Sequence, residues 1–484
     1  MHKANTMPEP SFLRPVFSTL ALLLTLPLLA PTPLRATDLP SPISAPLTEP
    51  LSPRFTVATG STSVPVYLAR ICSLTAQQRQ TLGLPVERDT TQTAFASFDL
   101  KGPQPVTVTC ADPVQSAKLL PSSSNITPIV SGNHITFTVS HPAQLTLEIN
   151  GDSISSLHLF VNPPETNIPN PKDPNVIYFG PGVHAVESIR VTSGQTVYLA
   201  PGAVIYGKPG QQISRAAIFS INGSNIVLRG RGIIDGSLCP RGTRPTLAIT
   251  GTNIDIEGIV LRDSCGFTLP VRRSDKVKVT NVKVFGWRGN SDGMDICNSR
   301  MVDVSDCFLR TFDDLIVIKT DKNQGVAAGI TVRHCVLWNE FAHALSLGAE
   351  LREPVTNVAF SDCDIIHDLG REWLLRVYHC DSASVRNVTF DNIRIEQARR
   401  LMSLWIGKAI WSRDSERGHI QNVTFQNINS VAPDRPAPYA DLVGFDMAHG
   451  IDNVTFQHVL VGGKQLDPAQ LEQNQFARNV TVLR

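Results

Sequence analysis

The sequence predicts an all-β protein, a right-handed parallel β-helix preceded by an N-terminal β-sandwich. Three observations predict it. From about residue 163 a short phrase recurs every 23 to 35 residues. The units are strand-like, alternating apolar and polar residues, and lack helical periodicity. The stretch before them alternates in the same way between Gly and Pro, without a repeat. The chain has 484 residues, 42% hydrophobic and 18% charged, with a formal net charge of +1. That apolar content excludes disorder throughout. The balance of 43 basic to 42 acidic residues lacks the basic excess of a dedicated nucleic-acid or anionic-membrane binder.

In chain order, residues 1–36 read as a secretory signal. Lys3 and Arg14 carry the charge, Val16 to Ala30 is apolar, and Ala36 is a plausible cleavage position. The stretch is short and interrupted by proline, which argues against a membrane span. The expectation is an exported chain, secreted or periplasmic, with no membrane association once the signal is removed. Residues 37–53 are rich in Pro, Ser and Thr and form a stiff, solvated linker. Residues 54–162 carry alternating runs such as Val106-Thr-Val-Thr, His134-Ile-Thr-Phe-Thr-Val and Gln144-Leu-Thr-Leu-Glu-Ile, and fit a small β-sandwich.

Residues 163–484 are the repeat. Its phrase appears as Asn253-Ile-Asp-Ile, Lys276-Val-Lys-Val, Met301-Val-Asp-Val, Gly329-Ile-Thr-Val, Asn357-Val-Ala-Phe, Asn387-Val-Thr-Phe, Asn422-Val-Thr-Phe, Asn453-Val-Thr-Phe and Asn479-Val-Thr-Val, with a fainter copy at Asn225. Such a period marks a solenoid, and each unit needs its neighbours to bury an inner face. Ten coils at strand spacing make a rod of about 45–50 Å. The Asn-x-Thr triplets in this repeat read as an asparagine ladder at coil turns rather than as glycosylation sites. Nine cysteines are present, and no Cys-x-x-Cys or Cys-x-x-His pair suggests a metal. Cys307, Cys335 and Cys363 each lie six residues after a coil start, where other coils have Val282, Ile393, Ile428 and Val459. They read as an inward ladder of buried, reduced thiols. Cys72 and Cys110 are able to pair in the sandwich.

Two phrases break the rhythm, Asn290-Ser-Asp-Gly-Met-Asp295 and Thr311-Phe-Asp-Asp314. Asp292 and Asp313 are 21 residues apart, about one coil, so Asp292, Asp313 and Asp314 are expected on one patch at strand spacing. Asp295 is expected to face away, by the alternation of an extended chain. Counted from their coil starts, His343, Arg376 and Trp405 fall at similar angles on the following coils. Clustered carboxyls repel, which raises one and lowers another. An acid and a base are what glycoside hydrolysis needs, and coil spacing alone does not choose between its retaining and inverting forms. The alternatives are turn-forming aspartates, or a calcium site of the kind hard carboxylate oxygens make.

These phrases resemble the polygalacturonase-type enzymes of glycoside hydrolase family 28 and their relatives in family 49, the dextranases and isopullulanases. The resemblance runs over roughly 175–420. Gly230-Arg-Gly-Ile-Ile-Asp-Gly236, Asn290-Ser-Asp-Gly-Met-Asp295, Asp313-Asp314, Ala342-His-Ala-Leu-Ser-Leu-Gly348 and Arg376-Val-Tyr378 carry it, in that order. It implies inverting hydrolysis of α-glycosidic bonds without metal or organic cofactor. Asp313 would be the general acid. Asp292 and Asp314 would hold and deprotonate water, and His343 would support the protonation of the acid or contact the sugar. Asn290, Arg376, Tyr378, Lys319 and Trp405 are the candidate substrate-binding residues, with Lys319 acting from behind the aspartates. The chain departs from the family pattern at Leu315, where the family has Cys, and at Tyr378, where it has Lys. Losing that ammonium shifts the expected substrate from a uronate toward a neutral glycan, because a tyrosine hydroxyl offers only a neutral hydrogen bond. The sandwich points the same way, because family 49 enzymes carry one. The expectation is an exported glycan hydrolase with a carbohydrate polymer or oligosaccharide as partner, monomeric or weakly self-associating. A polygalacturonase acting on pectin, a non-catalytic glycan-binding β-helix and a uronate lyase are the rivals.

Overall fold

The computed structural model describes residues 44–73, 90–209 and 216–484. The signal segment 1–36 and residues 37–43 of the linker lie outside the described residues. The described remainder, 44–53, corrects the reading of a solvated linker: Glu49 is buried and pairs with Arg262, which ties this stretch down. Among the described residues no helix is long and apolar enough to cross a membrane. The described residues form one compact unit.

Two five-stranded sheets make the sandwich. One is ordered Thr62–Val64, Phe55–Thr59, Gln104–Cys110, His134–Val139, Ile129–Ser131, and the other Val66–Cys72, Thr90–Asp99, Asp152–Asn162, Ala143–Ile149, Ala117–Leu120. Alternation decides where each side chain goes. On Asp152–Asn162, Leu157, Leu159 and Val161 enter the sandwich core, while Phe160 points the other way, into a cluster with Phe95, Phe285, Phe308 and Trp338. The second sheet is therefore buried on both faces, one of them against the β-helix. Its partners there are the strands Lys283–Gly286, Phe308–Thr311 and Val336–Asn339. Each is followed directly by a loop of the candidate site, so the sandwich backs the segments that carry it.

The right-handed parallel β-helix read from the sequence is present. Each full coil contributes three strands; one coil is Arg300–Ser305, Phe308–Thr311 and Ile316–Thr320, and the next Ala327–Arg333, Val336–Asn339 and Leu345–Leu351. They pair in parallel with their counterparts. The recurring phrase marks a corner. Its first residue has φ between +50° and +64° in every copy from Asn225 to Asn479. Asparagine tolerates this left-handed conformation better than most residues and stacks at the same time. The side-chain amide of Asn387 donates to Asn357 at 3.0 Å, Asn422 to Asn387 at 3.0 Å and Asn453 to Asn422 at 2.7 Å. Inside, Phe360, Phe390, Phe425 and Phe456 stack with centroids 5.0, 4.9 and 5.1 Å apart. Cys307, Cys335 and Cys363 lie in the same core as Val282, Ile393, Ile428 and Val459. All nine cysteines are buried, and no two are joined in a disulfide. Cys72 and Cys110 do not pair: Cys110 lies in the sandwich core, whereas the Cys72 thiol lies outside it and faces the Trp287 carbonyl at 3.6 Å.

Candidate active site

Three columns of residues build one groove. Met294, Ile316, Leu345, Leu375 and Met402 are in register on successive coils. Two residues before each stand Asp292, Asp314, His343, Trp373 and Arg400, on the loops that enter those strands. Rung-to-rung hydrogen bonds hold these loops as firmly as strands. Gly293 N–H donates to Asp314 O at 2.8 Å, Leu315 N–H to His343 O at 2.9 Å and Leu374 N–H to Arg400 O at 3.1 Å. Gly293 is required by this close approach, since a Cβ there would lie 2.4 Å from the Leu315 carbonyl. The Gly of the motif thus serves close packing between rungs as well as the bend at this corner. The other two columns lie on the strands. One runs Asp295, Val317, Ser346, Arg376, Ser403, and the other takes in Tyr378 and Trp405.

The three aspartates meet. One oxygen from each of Asp292, Asp313 and Asp314 lies within 4.8 Å of the other two. Asp314 and Asp292 are buried, and Asp313 is half-buried. Asp313 accepts from the backbone N–H of Asn290 at 2.9 Å and from that of Asp314 at 3.1 Å. Burial and the neighbouring Asp314 nevertheless push its carboxyl above the usual range. Asp292 is pushed well above it, by burial first and then by Asp295. Asp314 moves the other way: burial would raise it, but the His343 imidazole, which donates from Nδ1 at 2.6 Å, and Lys319 outweigh that and hold it below. One buried cluster therefore holds both a carboxyl biased toward its acid form and one biased toward its carboxylate.

Lys319 anchors the cluster. Its Nζ donates to Asp295 at 2.8 Å and Asp292 at 2.9 Å and lies 3.9 Å from Asp314. Burial opposes its charge, but these carboxylates hold it protonated far above the ordinary lysine range. Arg376 completes a relay. Its Nη1 donates to His343 Nε2 at 3.0 Å and to Glu372 at 2.8 Å. A guanidinium only donates, so Nε2 is the acceptor and Nδ1 keeps the proton given to Asp314.

The structure thus brings Asp292, Asp313, Asp314, His343, Lys319 and Arg376 together. It corrects two expectations at the site. Asp295 does not face away: the chain turns between Asp292 and Met294, so alternation does not run through the motif, and Asp295 points outward at Lys319 with no exposure. Arg376 does not share an angle with His343; Trp373 occupies that rung, because offsets from the coil start ignore unequal loop lengths. Arg376 reaches the site by folding back from the strand. Asn290 meets Asp313 through its backbone N–H, with φ at +61°, while its residue is exposed. Lys319 faces carboxylates and not the open groove. Tyr378 lies under the Arg376 guanidinium, 4.0 Å from ring centre to Cζ, and 5.2 Å from the half-buried Trp405 ring. Glu372, which holds Arg376, had no signal in the sequence beyond its i, i+4 spacing.

Comparison with known proteins places this cluster. Residues 237–465 match the model of glycosyl hydrolases family 28. The whole cluster lies inside the matched span, and the resemblance to polygalacturonase-like glycoside hydrolases is borne out. A polygalacturonase of Juniperus ashei is 22% identical over 280 residues, covering 53% of this chain and 53% of that one, so the chain spans about half the length of this relative. Among solved structures, Dex49A from Penicillium minioluteum is 14% identical with a TM-score of 0.60, over 91% of this chain and 96% of that one. A hyperthermoactive exopolygalacturonase from Thermotoga maritima is 14% identical with a TM-score of 0.51, over 64% and 84%. At these identities the solved structures speak for the fold, and the longer Dex49A overlap takes in most of the chain, sandwich included.

Proposed function

We propose that the protein is an exported glycoside hydrolase that cleaves an α-glycosidic bond of a neutral glycan with inversion. The observation that carries it is the Asp292, Asp313 and Asp314 cluster within 4.8 Å, with Asp313 biased toward its acid and Asp314 toward its carboxylate. Asp313, the most accessible of the three, donates its proton to the glycosidic oxygen as the C–O bond breaks. A water attacks the anomeric carbon from the other face and gives its proton to Asp314. Asp292 Oδ1 has no partner among the described residues and orients that water. His343 holds Asp314 in place, Arg376 fixes the imidazole tautomer, and Lys319 balances the carboxylates. Export rests on the N-terminal sequence.

Two observations favour a neutral sugar over a uronate. Tyr378 stands where the resemblance predicts an ammonium, and Arg376 is already engaged with Glu372 and His343. A cation committed to two protein partners has less to offer an incoming carboxylate.

A retaining mechanism is the second reading, favoured by distance. Inverting pairs are commonly about 6.5–9.5 Å apart and retaining pairs about 5–5.5 Å. The close oxygens here lie nearer the shorter range. Against this, the unpartnered Asp292 Oδ1 beside Asp314 gives a pair able to hold one water, which favours inversion. The test is a panel of dextran, pullulan and polygalacturonate, with the product anomer read by NMR for wild type and Asp313→Asn. Inverted product from a neutral polymer, absent in the variant, is expected. Turnover of polygalacturonate alone, retained product, or an unsaturated product absorbing in the near ultraviolet would each overturn the corresponding part.

A further inference from the structure

The groove does not stop at the aspartates. Beyond Arg376 the strand column continues through Ser403 to Asp441 and Glu472, each on the next rung. The loop column continues through Trp373 to Arg400. They converge on a cleft of about 480 Å³ lined by Trp373, Arg400, Arg435, Pro438, Asp441 and Glu472. Trp373 lies two rungs and Arg400 three rungs from Asp314, so the cleft begins about 10 Å from the reacting bond at strand spacing. A rung is close to the span of one pyranose, which places the cleft two to three sugar units along the chain.

Among the described residues, the four charged side chains of this cleft form no hydrogen bond or ion pair with any other. Arg400, Arg435 and Asp441 are half-buried, and Glu472 is exposed at the rim. Three partly buried charged side chains and one at the rim thus converge on one cleft with their donors and acceptors uncommitted to other side chains, and present them to whatever fills it. Their charges cancel, two guanidinium groups against two carboxylates. Trp373 and Pro438 supply an apolar wall, with the Arg400 guanidinium 5.4 Å from the Trp373 ring centre. A polar edge facing an apolar wall matches a pyranose, which has hydroxyls around its rim and C–H groups on its face. A uronate there would meet Asp441 and Glu472 as well as the two guanidinium groups, so the cleft carries no net positive charge to select a carboxylate over a hydroxyl.

We propose that this cleft is a distal subsite for a neutral pyranose of the same glycan chain, gripped by Asp441, Glu472, Arg400 and Arg435 against Trp373. The proposal rests on the glycan-hydrolase reading and deepens it by assigning chain-length preference to named residues. The experiment uses the full-length protein and its Asp441→Ala and Glu472→Gln variants. Binding of isomaltose, maltose, isomaltohexaose, maltohexaose and hexagalacturonate is followed by calorimetry, and sugar release by reducing-end assay. Wild type is expected to bind at least one neutral hexasaccharide tighter than its disaccharide. Asp441→Ala is expected to weaken that hexasaccharide about tenfold, the loss of a charged hydrogen bond, and leave the disaccharide unchanged. Glu472→Gln, conservative and exposed, guards against a folding defect and is expected to act in the same direction. Hexagalacturonate preferred over both neutral hexasaccharides, no binding of either, or equal loss for short and long chains overturns the proposal. Binding that follows the prediction without any sugar release leaves the subsite standing and overturns the hydrolase reading. Sugar release with no dependence on Asp441 does the reverse.

Discussion

Replacing Lys319 by Met tests the electrostatic account most directly. The side chain keeps its unbranched shape, one atom shorter, and loses its charge, leaving Asp292, Asp295 and Asp314 without their common cation. At an effective dielectric of about 20, a unit charge pair is worth about 6 kcal/mol at 2.8–2.9 Å and about 4 kcal/mol at 3.9 Å. Lys319 has 15% of its side chain exposed and Asp295 none, so solvent screens little of this. Desolvation offsets much of the gross attraction, and removing one partner of a buried pair costs about 3–5 kcal/mol in stability. The pH profile gives the sharper signal. Asp314 is held below the usual range partly by Lys319, so it works as a base down to low pH. Without the ammonium its folded pKa rises, and activity on the acid side is lost at higher pH than in wild type. About 4 kcal/mol corresponds to about 3 pH units at most, and water entering the vacated space reduces that to about 1–2. The assay is kcat/KM against pH on the polymer the panel identifies, with chemical denaturation of the substrate-free protein beside it. Lys319→Arg keeps the charge and is expected to keep the wild-type acid limb. An unmoved acid limb in Lys319→Met, together with a stability loss under about 1 kcal/mol, refutes the reasoning.

Three further outcomes follow from the same geometry. Wild-type activity is expected to be bell-shaped in pH, measured as kcat/KM. It falls at high pH as Asp313, raised by burial, loses the proton it must donate, and at low pH as Asp314, held down by His343 and Lys319, takes one up. Asp313→Asn is expected to lower kcat at least about 100-fold with the circular dichroism spectrum unchanged, because the amide oxygen still accepts from Asn290 N–H but the group no longer delivers a proton. Phe390→Ala is expected to destabilise by about 3–5 kcal/mol in denaturation, since it opens the buried Phe360–Phe390–Phe425 stack from the middle; a loss of less than about 1 kcal/mol means the solenoid core closes over the gap.

Much of the architecture is legible because the solenoid writes itself into local residues. The first residue of each phrase is the left-handed corner, and its fourth, in Phe360, Phe390, Phe425 and Phe456, is the core stack. Asp292 and Asp313–Asp314 are legible for the same reason: one coil of separation becomes one strand spacing. Asp295 escapes this reading because a corner inside Asn290 to Asp295 interrupts the alternation of an extended chain. Arg376 falls on a different column from His343 because loop lengths differ from coil to coil. The engagement of Lys319 with three carboxylates, and of Arg376 with His343 and Glu372, leaves no trace in spacing at all.

The sequence by itself determined the repeat, the corners, the inward ladders and the gathering of three aspartates, since each depends on residues a fixed number of positions apart. Tertiary structure alone decided which carboxyl is raised and which lowered, which nitrogen of His343 carries the proton, and how the sandwich backs the site strands. Those outcomes depend on burial and on distances of a few ångströms between side chains from different coils, and chain separation does not encode either.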